Sequence, residues 1–227
     1  MRHRLVGELM TTAVVSARPD TPFKEIARLL ARNDVTAVPV LDEQDRPLGI
    51  VSEADLMRHQ AAGEDPAGLL PPADLDPQDR ARSNGTTAAE LMTSPAVCAR
   101  PEWIVVEAAR VMDGKQLKRL PVVDEAGRLI GIISRSDLLR VFLRSDRAIG
   151  EEIRQDLMVR TLRLPSQAVR VDVRDGQVTL SGTLELRSEQ AALVRLSRAV
   201  DGVVAVTDQL SHRTDDTPAH ELAVGGR

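Results

Sequence analysis

Apolar positions in the first part of the chain fall into several distinct rhythms. Val14 to Ala17 is a short apolar run that predicts a strand. Phe23, Ile26, Ala27 and Leu30 then recur at i, i+3, i+4 and i+7, the stripe of an amphipathic helix, and Thr21 with Pro22 offers its cap and first residue. Ala37 to Leu41 and Pro47 to Val51 are apolar runs around the polar stretch Asp42 to Arg46, a hairpin pattern, and Ser52 opens another helix. The predicted order is β-α-β-β-α.

The same order returns further on. A shift of 82 positions lays ELMT (Glu8 to Thr11) on ELMT (Glu90 to Thr93) and ARP (Ala17 to Pro19) on ARP (Ala99 to Pro101). Without a gap it also lays PVLDE (Pro39 to Glu43) on PVVDE (Pro121 to Glu125), and GIVSEADLMR (Gly49 to Arg58) on GIISRSDLLR (Gly131 to Arg140). The helical stripe repeats as Val105, Ala108, Ala109 and Met112. Two homologous units pack about a pseudo-twofold axis, with a ligand cleft expected at that axis. Between them, Pro66, Pro71, Pro72 and Pro77 and an acidic bias mark a solvated connector.

After Phe142 the pattern changes. Asp146 is placed to cap a helix carrying Ile149, Ile153 and Leu157; Val169, Val171 and Val173 alternate as a strand; Asp175-Gly176 turns it back through Val178 and Leu180. Ser188 then caps a helix with Ala192, Leu193, Leu196 and Val200, Gly202 stops it, and Val203 to Leu210 is a last strand. The reading is an α/β and α+β protein: residues 1–60 and 87–144 are the repeats, 61–86 the connector, 145–213 an α-β-β-α-β domain and 214–227 a disordered tail.

Composition narrows the function. Two Phe, one Trp and no Tyr leave aliphatic cores and no stacking surface for bases, and a net charge of −4 gives no global pull toward nucleic acid, so no nucleic-acid partner is expected. The lone Cys98 reads as a small core residue, and His3, His59, His212 and His220 are too scattered for a zinc site. No apolar window is long enough to span a membrane and no signal segment is evident, so a cytoplasmic protein is expected. No catalytic motif is present, which points to binding rather than catalysis.

The repeated polar residues carry the candidate chemistry. Ser52 with Asp55, and Ser134 with Asp137, each set a hydroxyl at a helix start and a carboxylate three residues later, a capping box in its own right. Such a helix end also suits a phosphate, and the carboxylate can accept from ribose hydroxyls; Ser136 adds a further hydroxyl. Thr36-Ala37 in the first copy corresponds to Lys118-Arg119 in the second. Arg119, if turned inward, pairs with phosphate oxygens; if turned outward, it is a solvated edge charge. The two clefts are therefore expected to differ.

On these motifs each copy resembles a CBS motif, and the two together resemble the tandem CBS pair, or Bateman module. The stretch VRVDVRDGQVTLSGTL, with the following helix and DGVVAVTDQL, resembles a BON domain. The first resemblance implies a homodimeric regulatory module, with AMP, ATP or another adenosine derivative as ligand and no covalent cofactor. It also implies that Val15, Ala17, Val97 and Ala99 line an adenine slot. The dimer is expected through the helices at Phe23 to Leu30 and Val105 to Met112, or through the closing helices. The second resemblance implies attachment to a protein or phospholipid partner. A ligand-independent dimeric scaffold stays open beside the regulatory reading.

Overall fold

The computed structural model describes residues 3–63 and 77–216. It contains two compact units, one spanning Leu5–Leu138 and one running from Leu139 onward that also takes in Arg4.

In the first unit, copy one comprises α1 (Val6–Leu9), α2 (Phe23–Asn33), β1 (Ala37–Leu41), β2 (Pro47–Ser52) and α3 (Glu53–Ala61). After α4 (Pro77–Ser83), copy two repeats it as α5 (Ala88–Leu91), α6 (Val105–Gly114), β3 (Arg119–Val123), β4 (Leu129–Ser134) and α7 (Arg135–Leu139). Both hairpins share one antiparallel register, with Ala37 opposite Ser52 and Arg119 opposite Ser134. The first hairpin turn is tied by Asp42, whose Oδ1 accepts the Gln44 and Arg46 N–H groups at 2.9 and 2.8 Å. At the matching turn Asp124 Oδ1 accepts from Arg128 N–H at 2.8 Å.

Several local expectations change. The strand at Val14 to Ala17 shrinks to one bridge, Ala17 with Val40, matched by Ala99 with Val122. Upstream the backbone curls, with Val14 N–H donating to Thr12 O, so no longer ladder forms. Thr21 does not cap α2. Its Oγ1 accepts from Arg18 N–H at 2.9 Å, and Pro22 holds the N-cap position. The connector is not uniformly solvated, because α4 docks on α3: Arg58 approaches Asp79 at 3.5 Å, and His59 Nδ1 lies 2.6 Å from Ser83 O. Pro66, Pro71 and Pro72 lie outside the described residues.

The two copies exchange their leading segments. Val6 and Gly7 N–H donate to Trp103 and Pro101 O, and in the repeat frame Ala88 and Ala89 N–H donate to Thr21 and Pro19 O. Thr11 and Ile132 then bond reciprocally, N–H to O, at 2.9 Å each way, as do Ile50 and Thr93 at 3.1 and 2.9 Å. Ala88 and Leu91 are accordingly buried in the core of copy one, with Ile26, Leu30, Val38 and Val51. The crossing needs glycine. A Cβ on Gly49 would lie 2.6 Å from Met92 Sδ and 2.8 Å from Thr93 O, and one on Gly131 would lie 2.5 Å from Met10 Sδ.

The second unit is built around β5 (Val169–Arg174), β6 (Gln177–Leu186) and β7 (Ala205–Thr214), with β5 antiparallel and β7 parallel to β6. α8 (Asp146–Glu152) runs on as a π-helix over Ile153–Thr161, and α9 (Arg187–Arg198) crosses from β6 to β7. Ile149, Ile153, Leu157, Leu180 and Leu193 form its fully buried centre. Ser145, not Asp146, caps α8, its Oγ accepting from Ala148 N–H at 3.3 Å. Asp146 instead clamps the β5–β6 turn, accepting the Asp175 and Gly176 N–H groups at 2.8 Å each.

Ser188 is likewise not a cap: its Oγ donates to Asp216 at 2.5 Å, and Leu186 precedes α9. Hydrogen bonds from Ser188 hold the Asp216 carboxyl below its ordinary range. The expected tail is therefore structured at its start, since Thr214 closes β7 and Asp215 pairs with Arg187 at 2.6 Å. Residues 217–227 lie outside the described residues. Among those described, no helix is long and apolar enough to cross a membrane.

Candidate functional site

The exchange of leading segments decides what faces what. Each of two clefts in the first unit takes its wall from one copy and its closing helix from the other. The Asp137 cleft, about 320 Å³, is walled by Thr11, Val15, Thr36 and Ala37 of copy one and closed by Ser134, Ser136 and Asp137 of copy two. The Asp55 cleft, about 420 Å³, is walled by Thr93, Val97, Lys118 and Arg119 of copy two and closed by Ser52, Ala54 and Asp55 of copy one. The 82-residue shift maps one set onto the other. Thr36, Ala37 and Arg119 line both.

Both Ser-x-x-Asp pairs cap their helices. Ser52 N–H and Oγ donate to Asp55 Oδ2 at 2.8 and 2.6 Å, and Ser134 N–H and Oγ donate to Asp137 Oδ2 at 2.9 and 2.6 Å. The second carboxylate oxygens differ. Asp55 Oδ1 accepts from Arg58 at 2.5 Å in a largely buried pair, Asp55 being 5% exposed. Asp137 Oδ1 accepts no hydrogen bond from any described residue, and Arg140, the repeat equivalent of Arg58, is exposed. A carboxylate accepts about four hydrogen bonds. Asp137 thus has room for both hydroxyls of a ribose, whereas Asp55 has room for one.

Arg119 is the central cation. It is half-buried, and its guanidinium donates to Thr36 Oγ1 and, at 3.5 Å, to Ala37 O across the pseudo-twofold axis. Burial pushes its pKa below the ordinary value, while the carboxylates of Glu53 and Asp137 pull it back up. Lys118 is exposed at the rim of the Asp55 cleft. Val15 and Val97 are in the cleft walls. Ala17 and Ala99 are not. They are 4% and 0% exposed and spend their backbone groups on β1 and β3, which places them in the core behind the walls.

Among the lining residues missed from sequence are Arg58, Glu53 and Thr93 in the Asp55 cleft and Thr11 and Asp34 in the Asp137 cleft. Thr11 and Thr93 fall in the ELMT repeat, so the duplication itself marked them. Cys98 is half-buried rather than core, and burial pushes its thiol pKa up against the opposing effect of Arg100. No group of three His, Cys, Asp or Glu among the described residues could hold a metal ion.

Two pseudo-symmetric clefts between duplicated units, followed by an α+β domain, define a tandem-repeat module with an appended domain. The CBS domain family model matches residues 6–62 and 88–144, and the BON domain model matches residues 145–214. The chain belongs to the CBS domain family, as a tandem pair followed by a BON domain. An uncharacterized protein of Methanocaldococcus jannaschii is 28% identical over 157 residues, 60% of this chain and 94% of that protein. The chloroplastic CBS domain-containing protein CBSX1 of Arabidopsis thaliana is 30% identical over 155 residues, 63% of this chain and 66% of its own. The crystal structure of CBSX2, also of Arabidopsis thaliana, in complex with AMP matches with a TM-score of 0.53 at 29% identity, covering 62% of this chain and 97% of that one.

Proposed function

We propose that this chain is a non-enzymatic regulatory protein whose CBS pair binds an adenosine-containing ligand of the AMP or ATP type. The observation that carries the reading is the pairing, in each cleft, of a Ser-x-x-Asp helix start with an apolar valine wall and with Arg119 in reach. These are the groups that ribose, adenine and phosphate respectively need. The likeness to the CBSX2 complex with AMP supports it. The BON domain attaches the module to a protein or membrane partner. The pair forms a homodimer, for which Met57 on α3 and its repeat equivalent Leu139 on α7, 66% and 61% exposed, supply apolar contact.

A thermal-shift panel of AMP, ADP, ATP, S-adenosylmethionine and NADH tests the reading. Ligand at about 100 times its dissociation constant adds roughly 2.7 kcal/mol to the state that binds it, a rise of several degrees for a chain of this size. No rise with any adenosine compound at millimolar concentration would overturn the sensor. The pairing of Asp55 with Arg58, which already occupies its second carboxylate oxygen, favours the alternative, a ligand-independent dimeric scaffold, and an unmoved melting curve would select it.

A further inference from the structure

Arg119 stands at a place where the two clefts meet. It lines both, and it reaches across the pseudo-twofold axis to Ala37, which is its own counterpart in the repeat. Its charge is balanced from both sides, by Glu53 of the Asp55 cleft and by Asp137 of the other. The clefts differ in what they hold besides it. The Asp55 cleft also has Lys118 and Arg58, and Arg58 already neutralises Asp55 at 2.5 Å. The Asp137 cleft has the carboxylates of Asp34 and Asp137 and, among the described residues, no other Lys or Arg.

On the reading that these clefts take adenosine compounds, we propose that Arg119 is one phosphate anchor serving two clefts. The module therefore holds one phosphorylated ligand per chain, in the Asp55 cleft, and reserves the Asp137 cleft for an adenosine compound without a phosphate. A phosphate beside Lys118 draws the guanidinium toward it through charge-assisted bonds. The Asp137 cleft is then left with two carboxylates and no cation, a field that repels a second phosphate. The open Oδ1 of Asp137 still accepts from ribose hydroxyls, so an uncharged nucleoside loses nothing. Because coupling is reciprocal, a phosphate forced into the Asp137 cleft weakens the other site by the same factor.

Calorimetric titration of the full chain with AMP and with adenosine tests this. Ala54 and Ser136 are equivalent exposed positions on the two closing helices, so Ala54→Trp plugs the Asp55 cleft and Ser136→Trp the Asp137 cleft. In the unsubstituted chain the second AMP should bind at least about tenfold more weakly than the first, the scale of one charge-assisted hydrogen bond. In Ala54→Trp the remaining site should bind AMP about tenfold more tightly than that second step, and adding Arg119→Met should abolish the gain. Ser136→Trp should leave the first AMP step unchanged. Adenosine should enter the Asp137 cleft within about twofold whether or not AMP is present.

Equal AMP affinity for the Asp137 cleft with the other cleft plugged or filled would overturn the shared anchor and leave the adenosine reading standing. AMP and adenosine binding to none of the variants nor to the parent chain would overturn both. If Ala54→Trp fails to fold, Ala96→Trp plugs the same cleft from its opposite wall and is read by the same criterion.

Discussion

The Asp55 and Asp137 clefts descend from one design and have the same framework: the same crossing strands, the same Ser-x-x-Asp helix start, the same valine in the wall. They part at a few side chains. Thr36 and Ala37 in one wall stand where Lys118 and Arg119 stand in the other, and Arg58 closes on Asp55 where Arg140 leaves Asp137 open. Duplication conserves geometry because every backbone hydrogen bond depends on it, while the charge inside a cleft is free to drift. The clefts are thus alike in shape and unlike in electrostatics.

Removing Arg119 should break that difference most strongly. Arg119→Ala should weaken AMP by about 10- to 100-fold, for a lost charge-assisted hydrogen bond of roughly 1.5 to 3 kcal/mol, and leave adenosine nearly untouched, as read by calorimetry. Equal losses for both ligands would make Arg119 a structural residue only. Next come the glycines at the crossings. Gly49→Ala drives a Cβ against the backbone oxygen of Thr93, and should cost roughly 1 to 3 kcal/mol in urea unfolding. Gly131→Ala should cost less, because its close contact is a flexible methionine thioether and Thr11 O lies at 3.1 Å.

Smaller effects sharpen the contrast further. Arg58→Ala strips a buried carboxylate of one partner and should destabilise by about 1 to 2 kcal/mol, whereas Arg140→Ala on the surface should stay within about 0.5 kcal/mol. Equal effects would show that the Arg58 pair contributes nothing beyond an exposed charge. The least effect concerns acid. Hydrogen bonds from the Thr86 and Thr87 segment hold the Glu90 carboxyl below its ordinary 4.5. A folded pKa below the unfolded one gives stability that is present above the unfolded value and lost as pH falls through the folded one. Glu90→Gln should therefore flatten the stability profile below about pH 4.5, and an unchanged slope would remove Glu90 from the acid response.

The repeat, both hairpins and the helices flanking them were legible because hydrophobic spacing and turn residues are local signals, whereas the short leading helices α1 and α5 were not foreseen and the expected first strand is a single bridge. The Thr21 cap failed locally, its Oγ1 taking the Arg18 N–H three residues earlier, whereas those at Asp146 and Ser188 failed for one shared reason. Each side chain has a partner that only the tertiary fold brings near: Asp146 reaches the Asp175-Gly176 turn, and Ser188 reaches Asp216. The cleft residues Ser52, Asp55, Ser134, Asp137 and Arg119 were legible from the motif. Their grouping was not, since nothing in the spacing says that Val15 faces Ser134 rather than Ser52. Ala17 and Ala99 entered the adenine slot only through the family resemblance, while their alternating apolar positions fit the core in which the structure buries them.

The swapped leading segments bear on what counts as a folding unit. α1 completes copy two and α5 completes copy one, so neither repeat is whole without a segment of the other that is distant in the sequence. Contacts of such long sequence separation slow folding, and they make the two halves obligate companions. A chain cut between residues 63 and 77 should yield fragments that are unstructured apart and regain structure only when mixed. The module is in that sense a heterodimer written on one polypeptide, and the connector serves as a tether that keeps its two subunits at high effective concentration.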